Sequence, residues 1–196
     1  MIVEGDSASN SVGIARDPSY QAVLPIQGKP LNAWKAKKAK VASNEFYSAI
    51  VNAIGAGWDD SFCLDKARYQ HIILVFDPDA DGIHCSMLVL MFFYRWMRPL
   101  LDSGRILLVR PPMFEINSTN LTEILCAETD EQAAAEIQRL ELDGHQNITK
   151  KRFRGLASMG NTILAEYCIN PKTRSFFRMR SQDALAAIEA FSPNVK

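Results

Sequence analysis

The run His71-Ile-Ile-Leu-Val-Phe76, which breaks off at the acidic turn Asp77-Pro78-Asp79-Ala80-Asp81-Gly82, limits the possible folds of this sequence more than any other segment. A continuous apolar run of this length is the mark of a strand buried on both faces, as in parallel sheets. A helix is expected from about Ile83 to Leu100, followed by Gly104 and a second β run, Arg105–Val109, closed by Pro111-Pro112. Strand, turn, helix, turn and strand in that order predict an open, mostly parallel α/β sheet flanked by helices. Ligands of such sheets bind beyond the carboxyl ends of the strands, where the acids fall.

The chain opens on a second strand-like segment, Met1-Ile2-Val3, running into Glu4-Gly5-Asp6-Ser7. Only about three residues of that strand are present, against the usual five or six, so an upstream domain is expected. Ser43 or Asn44 is placed to cap a helix through about Ile54, with Phe46, Tyr47, Ile50 and Ile54 on a 3.6-residue period. Residues 117–149 read as a polar linker or short insertion around a helix near Glu131 to Leu140. The basic stretch Lys150-Lys151-Arg152-Phe153-Arg154 then leads into a short, helical C-terminal segment, giving a division into 1–116, 117–149 and 150–196.

Composition narrows the function classes. Among 196 residues, Lys and Arg total 22 and Asp and Glu total 22, so nucleic-acid binding must come from local clustering of charge. Cys63, Cys85, Cys126 and Cys168 form no C-x-x-C pair and no export signal precedes Glu4, which leads us to expect a reduced, cytoplasmic setting. The most apolar run, Met87–Tyr94, is far short of the roughly 20 residues that span a bilayer, so no membrane association is expected.

Asp77, Asp79 and Asp81 stand at alternate positions, and in extended geometry Asp77 and Asp79 can converge on one hard cation. Mg²⁺ takes one or two carboxylates and completes its octahedron with water and substrate phosphate. A calcium loop is excluded, because its twelfth position is Leu88 where a bidentate Glu is needed. Acids in turns also serve as helix caps and Asx-turns, which is the plainer reading of a lone D-x-D. Glu4 shifts the balance: if its strand lies parallel beside the 71–76 strand, it joins the aspartates on one sheet edge, where clustered carboxylates repel unless a cation neutralises them.

A second cluster is basic. Lys29, Lys35, Lys37, Lys38 and Lys40 lie within twelve residues that hold no acid, with Trp34 among them. The pattern suits phosphate contact; a solvated helical face is the alternative.

Taken in order, Glu4-Gly-Asp-Ser-Ala8, Leu24-Pro-Ile-Gln-Gly-Lys-Pro-Leu-Asn32, Asp77-Pro-Asp-Ala-Asp-Gly-Ile-His84, Phe92-Phe-Tyr-Arg95 and Pro111-Pro112 resemble the TOPRIM region of type IIA DNA topoisomerases, as found in the B subunits of DNA gyrase and of topoisomerase IV. Arg152-Phe-Arg-Gly-Leu156 and Asn170-Pro-Lys-Thr-Arg174 resemble that family's tail segments. The resemblance covers about residues 1–116 and 150–180. It implies a TOPRIM, Rossmann-like fold and the metal-binding half of a DNA cleavage and religation centre, whose nucleophilic tyrosine comes from a partner A subunit. By that resemblance Glu4 and Asp77 would hold one Mg²⁺ beside the scissile phosphate, Asp77 with Asp79 a second, and Asp81 would stand in the outer shell, with Mn²⁺ or Ca²⁺ as substitutes. Lys29 and Asn32 match DNA-contacting positions; Lys35, Lys37 and His84, which opens the helix after the acidic turn, complete the expected DNA-facing set. The implied partners are double-stranded DNA and the A subunit in an A2B2 assembly, with ATP hydrolysed in domains outside this chain.

The sequence departs from the family pattern at Ser9-Asn10 for Gly-Gly, Cys85-Ser86 for Ile-Arg, and Ala157-Ser158 for Gly-Glu. A stand-alone TOPRIM-like DNA-binding protein without strand passage is the alternative expectation.

Overall fold

The computed structural model of the chain describes residues 1–191. The elements that place the acids are β1 (Ile2–Glu4), α1 (Asp6–Ala15), β2 (Leu24–Ile26), α2 (Lys38–Ala42), α3 (Glu45–Ile54), β3 (Ile72–Val75) and α4 (Ala80–Trp96). After them come α5 (Pro99–Asp102), β4 (Ile106–Val109), β5 (Phe114–Asn117), β6 (Leu125–Ala127), α6 (Asp130–Leu142), β7 (Thr149–Arg152), α7 (Asn161–Leu164), β8 (Phe176–Arg178) and α8 (Ser181–Phe191). No helix among the described residues is long and apolar enough to cross a membrane.

The main sheet has the order β2-β1-β3-β4-β8. Its first four strands are parallel, and β8 adds antiparallel to β4. All four β3 residues are buried, as the uninterrupted apolar run requires, and burying each contributes about 1.5–3 kcal/mol relative to exposure. Alternate side chains go to opposite layers. Ile2, Ile72, Leu74 and Ile106 pack against α3 and α4 through Tyr47, Ile50, Val89 and Phe93. Val3, Ile73, Val75, Leu107 and Val109 pack on the other face, against Val12 of α1 and against Leu156, Ile163 and Leu164 of the tail. The result is the expected mostly parallel α/β sheet between helical layers.

Strand order decides where a ligand can bind. From β1 the chain crosses to β2 on one side and then returns to β3 on the other. The crevice between the carboxyl ends of β1 and β3 is therefore the topological switch point of the sheet. The register Ile2↔Leu74 and Val3↔Val75 brings Glu4 to that edge beside the turn that begins at Asp77.

Local expectations change at both ends of the long helix and in the tail. The long helix starts at Ala80 rather than Ile83, because Asp79 accepts from the Gly82 N–H at 2.8 Å and caps it early. It stops at Trp96 rather than Leu100, since Pro99 offers no N–H to continue it and instead begins α5. Residues 117–149, expected as a polar linker or short insertion around a helix near Glu131 to Leu140, hold that helix as α6, and β6 pairs with β5, which also pairs with β7, in a small antiparallel sheet of order β6-β5-β7. Phe114, Ile116, Ala127, Ala133 and Leu140 make its own core. The segment from 150 onward is only partly helical, giving β7 to the small sheet and β8 to the large one; its last five residues lie outside the described residues. By contrast, α3 carries its Asn44 cap, whose side chain accepts from the Tyr47 N–H.

Candidate metal and nucleic-acid site

Glu4 ends β1 half-buried, and the chain turns at once into α1. Gly5 makes that turn with φ of 78°, a left-handed conformation that favours glycine, while its N–H donates to the Ile26 carbonyl at 2.9 Å. On the neighbouring strand Asp77 leaves β3 half-buried, and its Oδ1 accepts from the Leu156 N–H at 2.8 Å. Glu4 and Asp77 line one cleft of about 280 Å³ with Gly5, Asp6, Arg154 and Gly155. The exposed Asp79 lies in an adjoining cleft of about 380 Å³, with Arg152 and Arg154.

The electrostatics of the first cleft match its geometry. Burial pushes the Glu4 carboxyl above its ordinary range; the Asp77 charge adds to the rise, and a hydrogen bond from the Cys85 thiol partly offsets it. Burial also raises Asp77; the Leu156 N–H counters this and the Asp79 charge adds to it. Carboxylates whose ionisation is opposed by burial and by a neighbouring negative charge in a half-buried cleft form a site that a cation stabilises. The donors are hard oxygens, which fit Mg²⁺. Among the described residues no group of three or more His, Cys, Asp or Glu side chains converges as a closed metal cage.

Asp81 is drawn elsewhere. It lies exposed in the first turn of α4, and its Oδ1 accepts from Lys29 Nζ at 3.0 Å. Lys29 and Asp81, expected respectively at DNA and in the outer metal shell, thus meet each other.

The basic segment is held by the protein core. Asn32 Oδ1 accepts from the backbone N–H groups of Trp34 and Lys35 at 3.1 and 3.2 Å. Arg95 donates to the carbonyls of Ala33 and Ala36 at 3.0 Å, and also to that of Trp34. Trp34 packs against Tyr94 with ring centroids 5.9 Å apart, so its ring serves packing. Lys35 and Lys37 are exposed, and Lys38 pairs with Asp59. His84 stacks on Phe191 at 5.1 Å and 15°, so α4 uses it to contact α8.

Sequence reasoning missed Arg154, which borders both acidic clefts, and the Leu156 N–H on Asp77. Arg154 carried a signal, its place in the basic stretch. The Leu156 N–H carried none, because every residue except proline has that group.

Comparison with known proteins places the chain in a family. The Toprim domain family matches residues 1–111. Over 190 residues the chain is 39% identical to the DNA gyrase B subunit of Metamycoplasma arthritidis, covering 97% of this chain and 29% of that protein. It is 40% identical over 194 residues to the DNA gyrase B subunit of Thermus thermophilus, covering 97% and 30%. It is 37% identical over 188 residues to the DNA topoisomerase 4 B subunit of Streptococcus pneumoniae, covering 95% and 28%. The chain thus spans less than a third of the length of these relatives.

Proposed function

This chain belongs to the Toprim family, and from that premise we propose that it is the metal-binding part of a type II DNA topoisomerase B subunit. The observation that carries the reading is the shared cleft of Glu4 and Asp77 at the switch point of the parallel sheet. Glu4, Asp77 and Asp79 would hold two Mg²⁺ ions, for which Mn²⁺ or Ca²⁺ could substitute, and Asp81 would act from the outer shell once released from Lys29. Bound there, Mg²⁺ supplies neutralisation of charge on the scissile phosphate and the leaving oxygen. The protein's own groups orient the substrate: Lys29, Lys35 and Lys37 offer ammonium groups to the DNA backbone, and Asn32 shapes the loop that presents them. Arg154, between the two clefts, is within reach of a phosphate oxygen held there. His84, which stacks on Phe191 of α8, would complete the DNA-facing set.

The nucleophile would be a tyrosine of an A-type partner in an A2B2 assembly, with ATP hydrolysed in other domains of the protein and the whole acting in the cytoplasm. The test is Mg²⁺-dependent cleavage of supercoiled plasmid by the full-length protein with its A-type partner. Wild type should give covalent protein–DNA products, and Asp77→Ala combined with Asp79→Ala should abolish them. Unchanged cleavage in the double variant would remove the assigned metal role. Salt-sensitive DNA binding without any partner-dependent cleavage would favour a stand-alone DNA-binding protein instead.

A further inference from the structure

The backbone N–H that donates to Asp77 comes from Leu156, 79 positions further along the chain. Leu156 buries its side chain in the layer formed by Val3, Val75 and Val12, and with that anchor its N–H donates to Asp77 Oδ1 at 2.8 Å. Gly155 lies against the same carboxylate: a Cβ there would fall 2.5 Å from Oδ2, 2.9 Å from Cγ and 3.0 Å from Oδ1. Its backbone is extended, so any residue could adopt it, and the requirement for glycine is one of space alone.

The turn is also closed on itself. The Ser158 hydroxyl accepts from the N–H groups of Arg154 and Gly155 at 2.9 and 3.3 Å and donates to the Gly155 carbonyl at 2.7 Å. A hydroxyl with three such bonds to one turn fixes its shape, although Ser158 is itself exposed.

We propose that the Gly155–Ser158 turn is a positioning element for Asp77: it holds Oδ1 through the Leu156 N–H and leaves room for Oδ2, so that the carboxylate meets a divalent cation in one fixed orientation. The inference rests on the reading of Asp77 as a cation ligand. Groups that orient a ligand in this way are worth about 10- to 100-fold in metal affinity. Gly155 and Ser158 are positioning residues, since neither reaches the ion.

The experiment is a Mn²⁺ titration of the full chain, with free Mn²⁺ followed by electron paramagnetic resonance and the fold checked by circular dichroism. Wild type is compared with Asp77→Ala, Gly155→Ala, Ser158→Ala and Ser158→Thr. Gly155→Ala is expected to bind at least about tenfold more weakly with an unchanged dichroism spectrum. Ser158→Ala should show a smaller loss, which Ser158→Thr restores because it keeps the hydroxyl. Should Gly155→Ala fail to fold, the Ser158 pair decides: a loss restored by threonine supports the inference, and unchanged affinity in Ser158→Ala overturns it. Wild-type affinity in a folded Gly155→Ala also overturns it, even where Asp77→Ala has lost binding. If Asp77→Ala itself binds as wild type does, the cation reading fails and the positioning role falls with it.

Discussion

Lys29 Nζ lies 3.0 Å from Asp81 Oδ1 across a separation of 52 residues, tying the loop after β2 to the first turn of α4. Both side chains are more than half exposed, and exposed pairs contribute only about 0–1 kcal/mol. This pair is therefore a contact that DNA can replace at little cost. Lys29→Ala should shift stability by less than about 0.5 kcal/mol. In fluorescence anisotropy with a duplex oligonucleotide across a salt series, it should weaken binding and lower the slope of log K against log salt by about 1. An unchanged slope would place Lys29 away from the phosphates.

Glu4 carries the pH dependence. Burial and the Asp77 charge hold its carboxyl above the ordinary range, and burial does the same for Asp77. From the ordinary carboxylate range up to the raised values, the folded chain binds more protons than the unfolded chain. Its metal-free stability therefore falls as pH rises through that window. Glu4→Gln removes one charge and keeps an oxygen to accept from Cys85. In EDTA at pH 7 it should melt about 1–3 °C higher than wild type, for a gain of less than about 1 kcal/mol after solvent screening. The advantage should close near pH 4 and reverse when Mg²⁺ is added. A variant that melts lower in EDTA would contradict the repulsion.

The acidic turn depends on Gly82. A Cβ there would lie 2.2 Å from the Asp77 carbonyl oxygen and 2.9 Å from its backbone N and C, and no rotamer change relieves a clash with main chain. Gly82→Ala should cost about 2–3 kcal/mol, toward the upper end of overpacking. Gly13, inside α1, has open space where its Cβ would be, so Gly13→Ala should be neutral or stabilising by up to about 1 kcal/mol. Urea unfolding of the two variants checks the contrast.

The cysteines differ in reach. Burial pushes the thiols of Cys85 and Cys168 up to about 12 and that of Cys126 up to about 11, whereas Cys63 is partly exposed. Iodoacetamide at neutral pH, read by peptide mass, should label Cys63 first and reach Cys85 and Cys168 only on denaturation. Early labelling of Cys85 would contradict its burial beside Glu4.

What could be read in the sequence follows from where the signal lay. The 71–76 run announced β3 because four consecutive buried residues leave no polar alternation, and the condition set for Glu4, that its strand lie parallel beside this one, is met by the pairing of β1 and β3. The helix start was misplaced because Asp79 has two possible roles, cap and ligand, and the structure uses one of its oxygens as a cap. The small sheet stayed hidden for a different reason. All four residues of β7 are exposed, so they carry no apolar pattern, and the strand is defined by pairing with β5 more than thirty residues away. At the site itself, residue types marked the acids, while contacts made by backbone or by distant partners did not show. The Leu156 N–H on Asp77, the Lys29 pairing of Asp81 and the stacking of His84 on Phe191 all belong to this second kind.

Metal binding by this fold comes down to whether Glu4 and Asp77 hold a divalent cation in their shared cleft. Anomalous diffraction from crystals of the chain grown with Mn²⁺ answers that without recourse to activity. An anomalous peak is expected within about 2.0–2.3 Å of a carboxylate oxygen of both Glu4 and Asp77, and it should be lost in Asp77→Ala. A well-ordered cleft with no peak at saturating Mn²⁺, or a peak that survives Asp77→Ala, would show that the two carboxylates do not share an ion.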